Sequence, residues 1–156
     1  MKTNDHPGVY VPPPLIYAGV FMIAVLLQKR VAINPALFQM HFIWMPAVLL
    51  LAIGAYFCLR SIGLFIRTKN TVMTIRPAAS LQTGGIYHIT RNPMYLSLLF
   101  IYLGLTCLIG SWWNIILLPL LVLIVQQYII RREEKYLSRE FGQAYTDYKN
   151  QVRRWL

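Results

Sequence analysis

The side chains best suited to ligand chemistry lie in the longest polar interval of the chain, residues 71–95. This interval contains the pair Gly84 and Gly85 and closes with the run Arg91–Tyr95, directly before a strongly apolar segment. Glycines let a backbone approach a ligand closely, and a proline such as Pro93 suits the first turn of a helix. Irregular polar backbone at membrane depth is tolerated where it is buried in protein or lines a cavity. The pattern therefore predicts a cofactor site.

A second polar cluster follows the last apolar run and consists of Glu133 and Glu134 beside Arg131 and Arg132. Gln126 precedes Glu133 by seven residues, so on a helix the two side chains would share a face. Because an amide that faces lipid is costly, that face is expected to point into a helix bundle. The same charges would also suit a simple interfacial position, and this interpretation stays open.

The composition places both clusters in a membrane protein. Of the 156 residues, 57% are hydrophobic and 13% are charged, and the charge-free runs are long. The formal net charge is +10, and many of the basic residues flank the apolar runs. This arrangement favours anionic lipid headgroups over nucleic acid as partners.

The hydropathy pattern predicts an all-α integral membrane protein with about four transmembrane helices. The first covers residues 15–28, with a half-inserted segment as the alternative, and the second covers 36–59 with a kink at Pro46. Residues 92–130 carry no charge and are about twice as long as one crossing of a ~30 Å core requires at ~1.5 Å per residue. A glycine and paired tryptophans within 110–114 break this run, which predicts a tight C-terminal hairpin.

The charges also predict the topology. The loop at 67–91 and the tail after Ile130 are basic, whereas the hairpin tip is uncharged, so the loop and the tail are expected in the cytoplasm. From Leu137 to Tyr148, apolar residues recur every three to four positions, which predicts an amphipathic helix with a break at Gly142. This helix is expected to pack on the membrane face or on the 67–91 loop.

No metal site is predicted. Cys58 and Cys107 lie in apolar runs without the spacing of a metal or redox motif, and His41 has no companion ligand nearby. The cysteines are interpreted as buried small hydrophobic residues, and His41 as an interfacial residue.

Taken together, the two polar clusters follow a known pattern. Its residues in order are Leu81, Thr83, Gly85, Tyr87, Arg91, Asn92, Pro93 and Tyr95, followed after the uncharged hairpin by Glu133, Glu134, Leu137, Phe141, Gly142, Tyr145, Tyr148, Val152 and Arg154. This order resembles the isoprenylcysteine carboxyl methyltransferase family of integral membrane methyltransferases and the related phospholipid methyltransferases. The resemblance covers about residues 67–156. The chain is therefore expected to have N-terminal transmembrane helices at 1–66 and a segment at 67–156 that binds the cofactor and carries catalysis.

The resemblance implies S-adenosylmethionine as the cofactor, with S-adenosylhomocysteine as its product, bound on the cytosolic side between the loop and the last helices. Glu133 would meet the charged amino-acid part of the cofactor, and Arg91 or Arg131 would hold the acceptor, so these three are the candidate catalytic residues. The cofactor-binding residues that it implies are Ser80, Leu81, Gln82, Tyr87, Asn92, Pro93, Met94, Tyr95, Glu133 and Glu134.

This sequence departs from the family pattern at three positions. Asn92 replaces the commoner His, and an amide cannot act as a general base. Ser97 stands where the family often has Gly, and Ile129 stands where eukaryotic members place an Arg used for substrate. These departures leave the acceptor open.

The expected function is methyl transfer to a lipophilic acceptor, foremost the carboxylate of a prenylated cysteine or of another lipid. The alternative acceptor is a phospholipid amine. A carboxylate is already ionised at pH 7 and needs no base, whereas an amine does, and Glu133, Glu134 or Tyr95 would have to supply it. A non-catalytic membrane subunit and a nicotinamide-dependent sterol or enone reductase are the other classes that the sequence leaves open.

Overall fold

The computed structural model describes residues 7–68 and 80–156, and every regular element in these two ranges is helical. The six α-helices are α1 (Pro13–Arg30), α2 (Trp44–Arg67), α3 (Pro93–Ile109), α4 (Trp112–Ile116), α5 (Leu118–Ile124) and α6 (Arg131–Gln151). Short 3-10 turns cover Ala36–Gln39 and Gly85–His88, and a π-helical turn covers Val125–Ile130. The all-α prediction is thus confirmed for the described residues.

Helix α2 begins later than the sequence predicts. The segment from 36 to 43 forms a 3-10 turn and further turns, and the helix starts only at Trp44. Pro46 is therefore the third residue of α2. The N–H groups of the first turn have no intrahelical acceptor, so a proline there costs no helical hydrogen bond. The expected kink is wrong because this proline lies in the first turn of the helix.

Among the described helices, α2 is long and apolar enough to cross a membrane, and α3 is a shorter apolar helix. Few residues in the apolar window of α2 are buried within the protein, as expected for a helix that also contacts lipid. The predicted count of four spans, and the division of the chain at residue 66, remain predictions. Residues 15–28 lie within α1.

Helices α2 and α3 are packed together through two glycines. A Cβ atom placed on Gly54 would lie 3.0 Å from the carbonyl oxygen of Ser97, and one placed on Gly104 would lie 3.0 Å from that of Ala47. Small residues allow such close backbone approach, which is the usual way helices associate in lipid. The contact fixes the position of α3, whose first turn begins the candidate site.

The break in the long uncharged run occurs at the predicted tip. Helix α3 ends at Gly110, which adopts a left-handed conformation with φ of 72°. The indole N–H groups of Trp112 and Trp113 donate hydrogen bonds to the carbonyl oxygens of Asn34 (3.0 Å) and Val31 (2.8 Å). The hairpin tip is thereby tied to the connection between α1 and α2.

The tail helix packs on the loop that precedes α3, as one of the two predicted alternatives states. Gly142, with φ of 51°, interrupts the helical geometry inside α6, so the predicted break is confirmed. Beyond it, Tyr145 and Tyr148 are buried in a cluster that includes Ile86 and Tyr87. The start of α3, the loop before it and the tail therefore meet at one end of the bundle.

Candidate functional site

The two polar clusters of the sequence lie next to each other in the structure. The Tyr95 hydroxyl donates a 2.7 Å hydrogen bond to Oε1 of Glu133, which is 38 positions away. Nη1 of Arg91 lies 3.2 Å from Oε1 of Glu134. The turn that begins α3 and the first turn of α6 therefore form one polar site.

Local sequence explains how α3 presents this site. Pro93 is the first residue of the helix, with its ring in place of an N–H that would have no intrahelical acceptor. Tyr95 follows in the same turn and is 7% exposed. Ser97, which departs from the family pattern, is buried and donates to the Met94 carbonyl oxygen at 2.7 Å. Its hydroxyl is thus satisfied within the helix.

On the other side of the site, a π-helical turn at Val125–Ile130 directly precedes the helix that carries Glu133 and Glu134. Such turns have a wider spiral than an α-helix and often occur near functional sites. Because this turn intervenes, seven-residue spacing no longer places Gln126 and Glu133 on one helix face. Gln126 instead accepts a long hydrogen bond of 3.5 Å from the Trp155 indole.

The Glu133 carboxyl is electrostatically poised for proton exchange or for binding a cation. Burial raises its pKa to about 7, the hydrogen bond from Tyr95 acts in the opposite direction, and the neighbouring Glu134 raises it further. Although part of the side chain remains accessible, protein atoms replace much of its water. Near neutral pH this group is thus divided between its acid and its carboxylate forms.

Glu134 has a different environment, because two guanidinium groups neutralise it. Arg154 binds it through two hydrogen bonds, from Nε at 2.9 Å and from Nη2 at 2.6 Å, and Arg91 lies on Oε1. Bidentate pairs of this kind combine charge with fixed geometry. The hydrogen bonds to Glu134 raise the pKa of Arg154. Glu134 is thus held in an ionic network, whereas Glu133 has no such cationic partner among the described residues.

Arg153 and Arg154, which follow α6, bind the turn before α3 through their backbone carbonyl oxygens, and this contact is called the C-terminal clip. The carbonyl oxygen of Arg154 accepts hydrogen bonds from the Asn92 side chain (2.8 Å) and from the Thr90 hydroxyl (3.1 Å), and that of Arg153 accepts from the Arg91 N–H (3.0 Å). Asn92 precedes α3 but caps no helical N–H with its side chain. Its amide is used to hold the C-terminal segment.

Tyrosines surround the polar network. The Tyr148 hydroxyl donates to the Tyr87 carbonyl oxygen at 2.7 Å, and Arg91 donates to the Tyr145 hydroxyl at 3.5 Å. Burial raises the pKa of Tyr87, and the Glu133 carboxylate adds to this effect, so the two groups are close enough to interact. Burial likewise raises the pKa of Tyr145 to about 12. These phenols are neutral at physiological pH.

Several of the site residues named from the sequence belong to this network, and Arg131 does not. Leu81 packs on the aromatic cluster, and Gln82 donates a hydrogen bond of 2.8 Å to the Ser80 hydroxyl. Arg131 is exposed, and among the described residues no hydrogen bond or ion pair joins it to the network. It precedes Glu133 by two helical positions, which turns its side chain roughly 200° away at ~100° per residue. The part of the loop at 71–79 lies outside the described residues.

Arg154 and Tyr145 contact the charged groups of the network but were not among the predicted site residues. Both belong to the motif pattern of the tail, and this was the signal that could have identified them. Their roles follow only from the fold, since they reach the turn before α3 across more than fifty positions. In the described ranges, no group of three or more His, Cys, Asp or Glu side chains is arranged to hold a metal ion.

Comparison with known proteins identifies the family to which this chain belongs. The family described as phospholipid methyltransferase matches residues 42–144, which include the turn before α3, the hairpin and the acidic pair. An uncharacterized protein of Haemophilus influenzae is 46% identical over 66 residues, a match that covers 40% of this chain and the whole of that protein. No solved structure matches. The family match covers most of the chain, and the chain therefore belongs to the phospholipid methyltransferase family of membrane methyltransferases.

Proposed function

We propose that this protein transfers a methyl group from S-adenosylmethionine to a lipophilic acceptor, at the site formed by Arg91, Tyr95, Glu133 and Glu134. The observation that carries the proposal is the pairing of Tyr95 with Glu133 at 2.7 Å beside the Arg91–Glu134 ion pair. Family membership supports a methyltransferase with a lipid-type acceptor. The basic residues of the 67–91 loop and of the tail support a cytoplasmic orientation of the site.

The charges available in the site fit the cofactor. S-adenosylmethionine carries an ammonium, a carboxylate and a sulfonium, and when bound it supplies an electrophilic methyl group. Glu133 would take the ammonium, since contacts among the described residues occupy only one of its two oxygens. Nε of Arg91 is buried without an acceptor among the described residues, so it is a donor for the carboxylate. The faces of nearby tyrosines such as Tyr87 suit a sulfonium.

The contribution of the chain to the reaction would be orientation and exclusion of water. Methyl transfer by in-line displacement needs the two reacting atoms held in contact, and such positioning can supply ~7–11 kcal/mol of a barrier. The α2–α3 contact, the ionic network at Glu134 and the C-terminal clip hold the site residues on rigid elements. Glu133 and Arg91 act by fixing the charged end of the donor.

Two acceptor classes are compatible with the site, in which Arg91 and Glu133 are both assigned to the charged end of the donor. A carboxylate acceptor, such as that of a prenylated cysteine, is ionised at neutral pH and needs no base. An amine acceptor must lose a proton to react, so it needs a base. The family description, which names phospholipids, supports the amine.

Binding of S-adenosylhomocysteine to detergent-solubilised protein tests the donor assignment. Isothermal titration calorimetry is expected to show saturable binding that Glu133→Gln weakens and that the exposed matched control Glu140→Gln leaves unchanged. Absence of binding to the wild-type protein would overturn the proposal.

The acceptor class is identified by incubating membrane extracts with a donor that carries a deuterated methyl group. Mass spectrometry of the lipid fraction then finds the labelled product. Release of the label as volatile deuterated methanol on mild alkaline hydrolysis indicates a methyl ester and hence a carboxylate acceptor, whereas label that stays on a non-volatile amine headgroup indicates an N-methyl product. A lipid fraction without label, under conditions in which the donor binds, would contradict the lipophilic acceptor.

A further inference from the structure

A groove of about 230 Å³ lies at the end of α2, apart from the residues of the polar network. Among the described residues, its walls come from residues 59–67 at the end of that helix and from the 3-10 turn Gly85–His88. The residues that matter for its chemistry are Leu59, Arg60, Gly63, Arg67, Gly85 and Ile86.

Glycines keep this groove open. A Cβ atom added to Gly63 or to Gly85 would meet no atom of the described residues within 4 Å. Gly85 has φ of 59°, and its turn explains why it is glycine. Gly63 lies inside a regular helix, where glycine costs roughly 0.5–1 kcal/mol relative to alanine. A longer side chain at Gly63 would extend into the groove.

Two cations line the groove on one face of α2. Arg60 and Arg67 are seven residues apart, so they share a helix face at about 10 Å along the axis. Both are exposed, and neither forms an ion pair with a described residue. A cation in the last turn, such as Arg67, is favoured by the helix dipole, but this effect does not reach Arg60, two turns earlier.

The position of Arg60 along α2 corresponds to lipid headgroups. The helix is uncharged from Trp44 to Leu59, a length of about 24 Å at ~1.5 Å per residue, close to the ~30 Å of a hydrocarbon core. A charge deeper in the core would be costly, so Arg60 marks the boundary. The groove beyond it lies where phosphates are, with Leu59 and Ile86 as its apolar walls.

We propose that this groove binds the headgroup of an anionic phospholipid, with Arg60 and Arg67 on the phosphate and with Leu59 and Ile86 against the first carbons of the lipid. Its volume equals roughly eight water molecules at ~30 Å³ each, enough for a phosphate and the adjoining atoms. It is smaller than the ~300–1,000 Å³ of sites that enclose a whole small-molecule ligand. Arginine forks match phosphate geometry.

The test is thermal unfolding in an uncharged detergent, with phosphatidylglycerol, phosphatidylcholine or inorganic phosphate added. The variants are Gly63→Leu, which fills the groove from a position compatible with a helix, and Arg60→Gln combined with Arg67→Gln. Matched controls are Gly19→Leu, whose added side chain also starts in open space on a helix, and Lys29→Gln combined with Arg30→Gln.

Phosphatidylglycerol is expected to raise the Tm of the wild type and of both controls, and this shift should fall to less than about half in both groove variants. Phosphatidylcholine should produce a smaller shift. Retention of the full shift in Gly63→Leu, or an equal loss in the two charge-removal doubles, would overturn the site. An equal shift with inorganic phosphate would overturn the lipid as its occupant.

Discussion

The Tyr95 hydroxyl donates its hydrogen bond to Oε1 of Glu133 across 2.7 Å, and this contact joins the first turn of α3 to the first turn of α6. Burial and the hydrogen bond act on the carboxyl in opposite directions, since burial raises its pKa and Tyr95 lowers it. The hydrogen bond does more than join the two helices. It sets the fraction of Glu133 that is ionised at neutral pH.

Replacing Tyr95 by phenylalanine should therefore weaken the binding of S-adenosylhomocysteine. Without the donor, the ionised form of Glu133 loses stabilisation, and its pKa should rise above about 7. A hydrogen bond to a charged group is worth ~1.5–3 kcal/mol, so at neutral pH the affinity should fall roughly tenfold. Calorimetric titration measures this change. Tyr102→Phe is the matched control, because its hydroxyl bonds the Asn114 carbonyl oxygen at 3.0 Å elsewhere; an equal loss there would contradict the specific role of Tyr95.

The affinity for S-adenosylhomocysteine should rise with pH up to about 7 and then level off. Its ammonium favours the Glu133 carboxylate, so below the raised pKa of about 7 a proton must leave on binding. The dissociation constant should increase by up to ~tenfold for each pH unit below that value. Titrations at several pH values measure the slope. A flat profile in the wild type, or the same slope in Glu133→Gln, would exclude Glu133 as the ammonium partner.

In the unliganded protein, a rise in pH should lower stability through Glu133. Because folding raises the pKa of Glu133 from 4.5 to about 7, the contribution of this group to stability is fully present at low pH and is lost as the pH rises through that range. Glu133→Gln should therefore raise the Tm of the unliganded protein at pH 8 while it weakens ligand binding. Differential scanning calorimetry with and without S-adenosylhomocysteine checks both halves. A lower Tm in this variant would mean that Glu133 stabilises the fold.

Local sequence patterns were sufficient for much of the architecture and insufficient for contacts between distant segments. Gly110 and Gly142 were recognisable as helix breaks because the cause, a left-handed or otherwise non-helical glycine, is local. The likeness of the polar motifs to one family indicated that the two clusters belong together. The clip formed by the Arg154 carbonyl oxygen was not predictable, since a backbone acceptor carries no residue signature.

The sequence patterns also did not give the helix boundaries or the irregular turn inside the last apolar run. The kink expected at Pro46 assumed that the helix began at 36, and the shared face of Gln126 and Glu133 assumed an uninterrupted α-helix. Hydropathy gives the length of an apolar run, but neither its first helical residue nor a π-helical turn inside it. The close contact at Gly54 likewise depends on which helix lies opposite.

Removing the Glu134 carboxylate should destabilise the fold. Glu134→Ala leaves Arg91, whose side chain is 9% exposed, without its counter-ion, and it releases the Arg154 side chain. Breaking a buried pair typically costs ~3–5 kcal/mol, and since Arg154 is partly exposed, the lower end is expected. At ~2–4 °C per kcal/mol, the Tm should fall by about 6–12 °C. Asp147 is exposed and, among the described residues, accepts a bond from Gln143, so Asp147→Ala should change the Tm little. Comparable losses in the two variants would contradict a special role for the network.

Alanine at Gly54 should separate α2 from α3, whereas alanine at Gly19 should not. The new Cβ at Gly54 would lie 2.8 Å from Cγ1 of Ile101 and 3.0 Å from the Ser97 carbonyl oxygen. The side chain can rotate, but the backbone oxygen cannot, so overpacking of ~1–3 kcal/mol is expected. Because α3 begins with the site residues, binding of S-adenosylhomocysteine should weaken together with the Tm. Gly19 faces open space on α1, and alanine there should stabilise by ~0.5–1 kcal/mol through helix propensity. If thermal unfolding finds Gly54→Ala as stable as Gly19→Ala, the close contact of the two backbones does not fix α3.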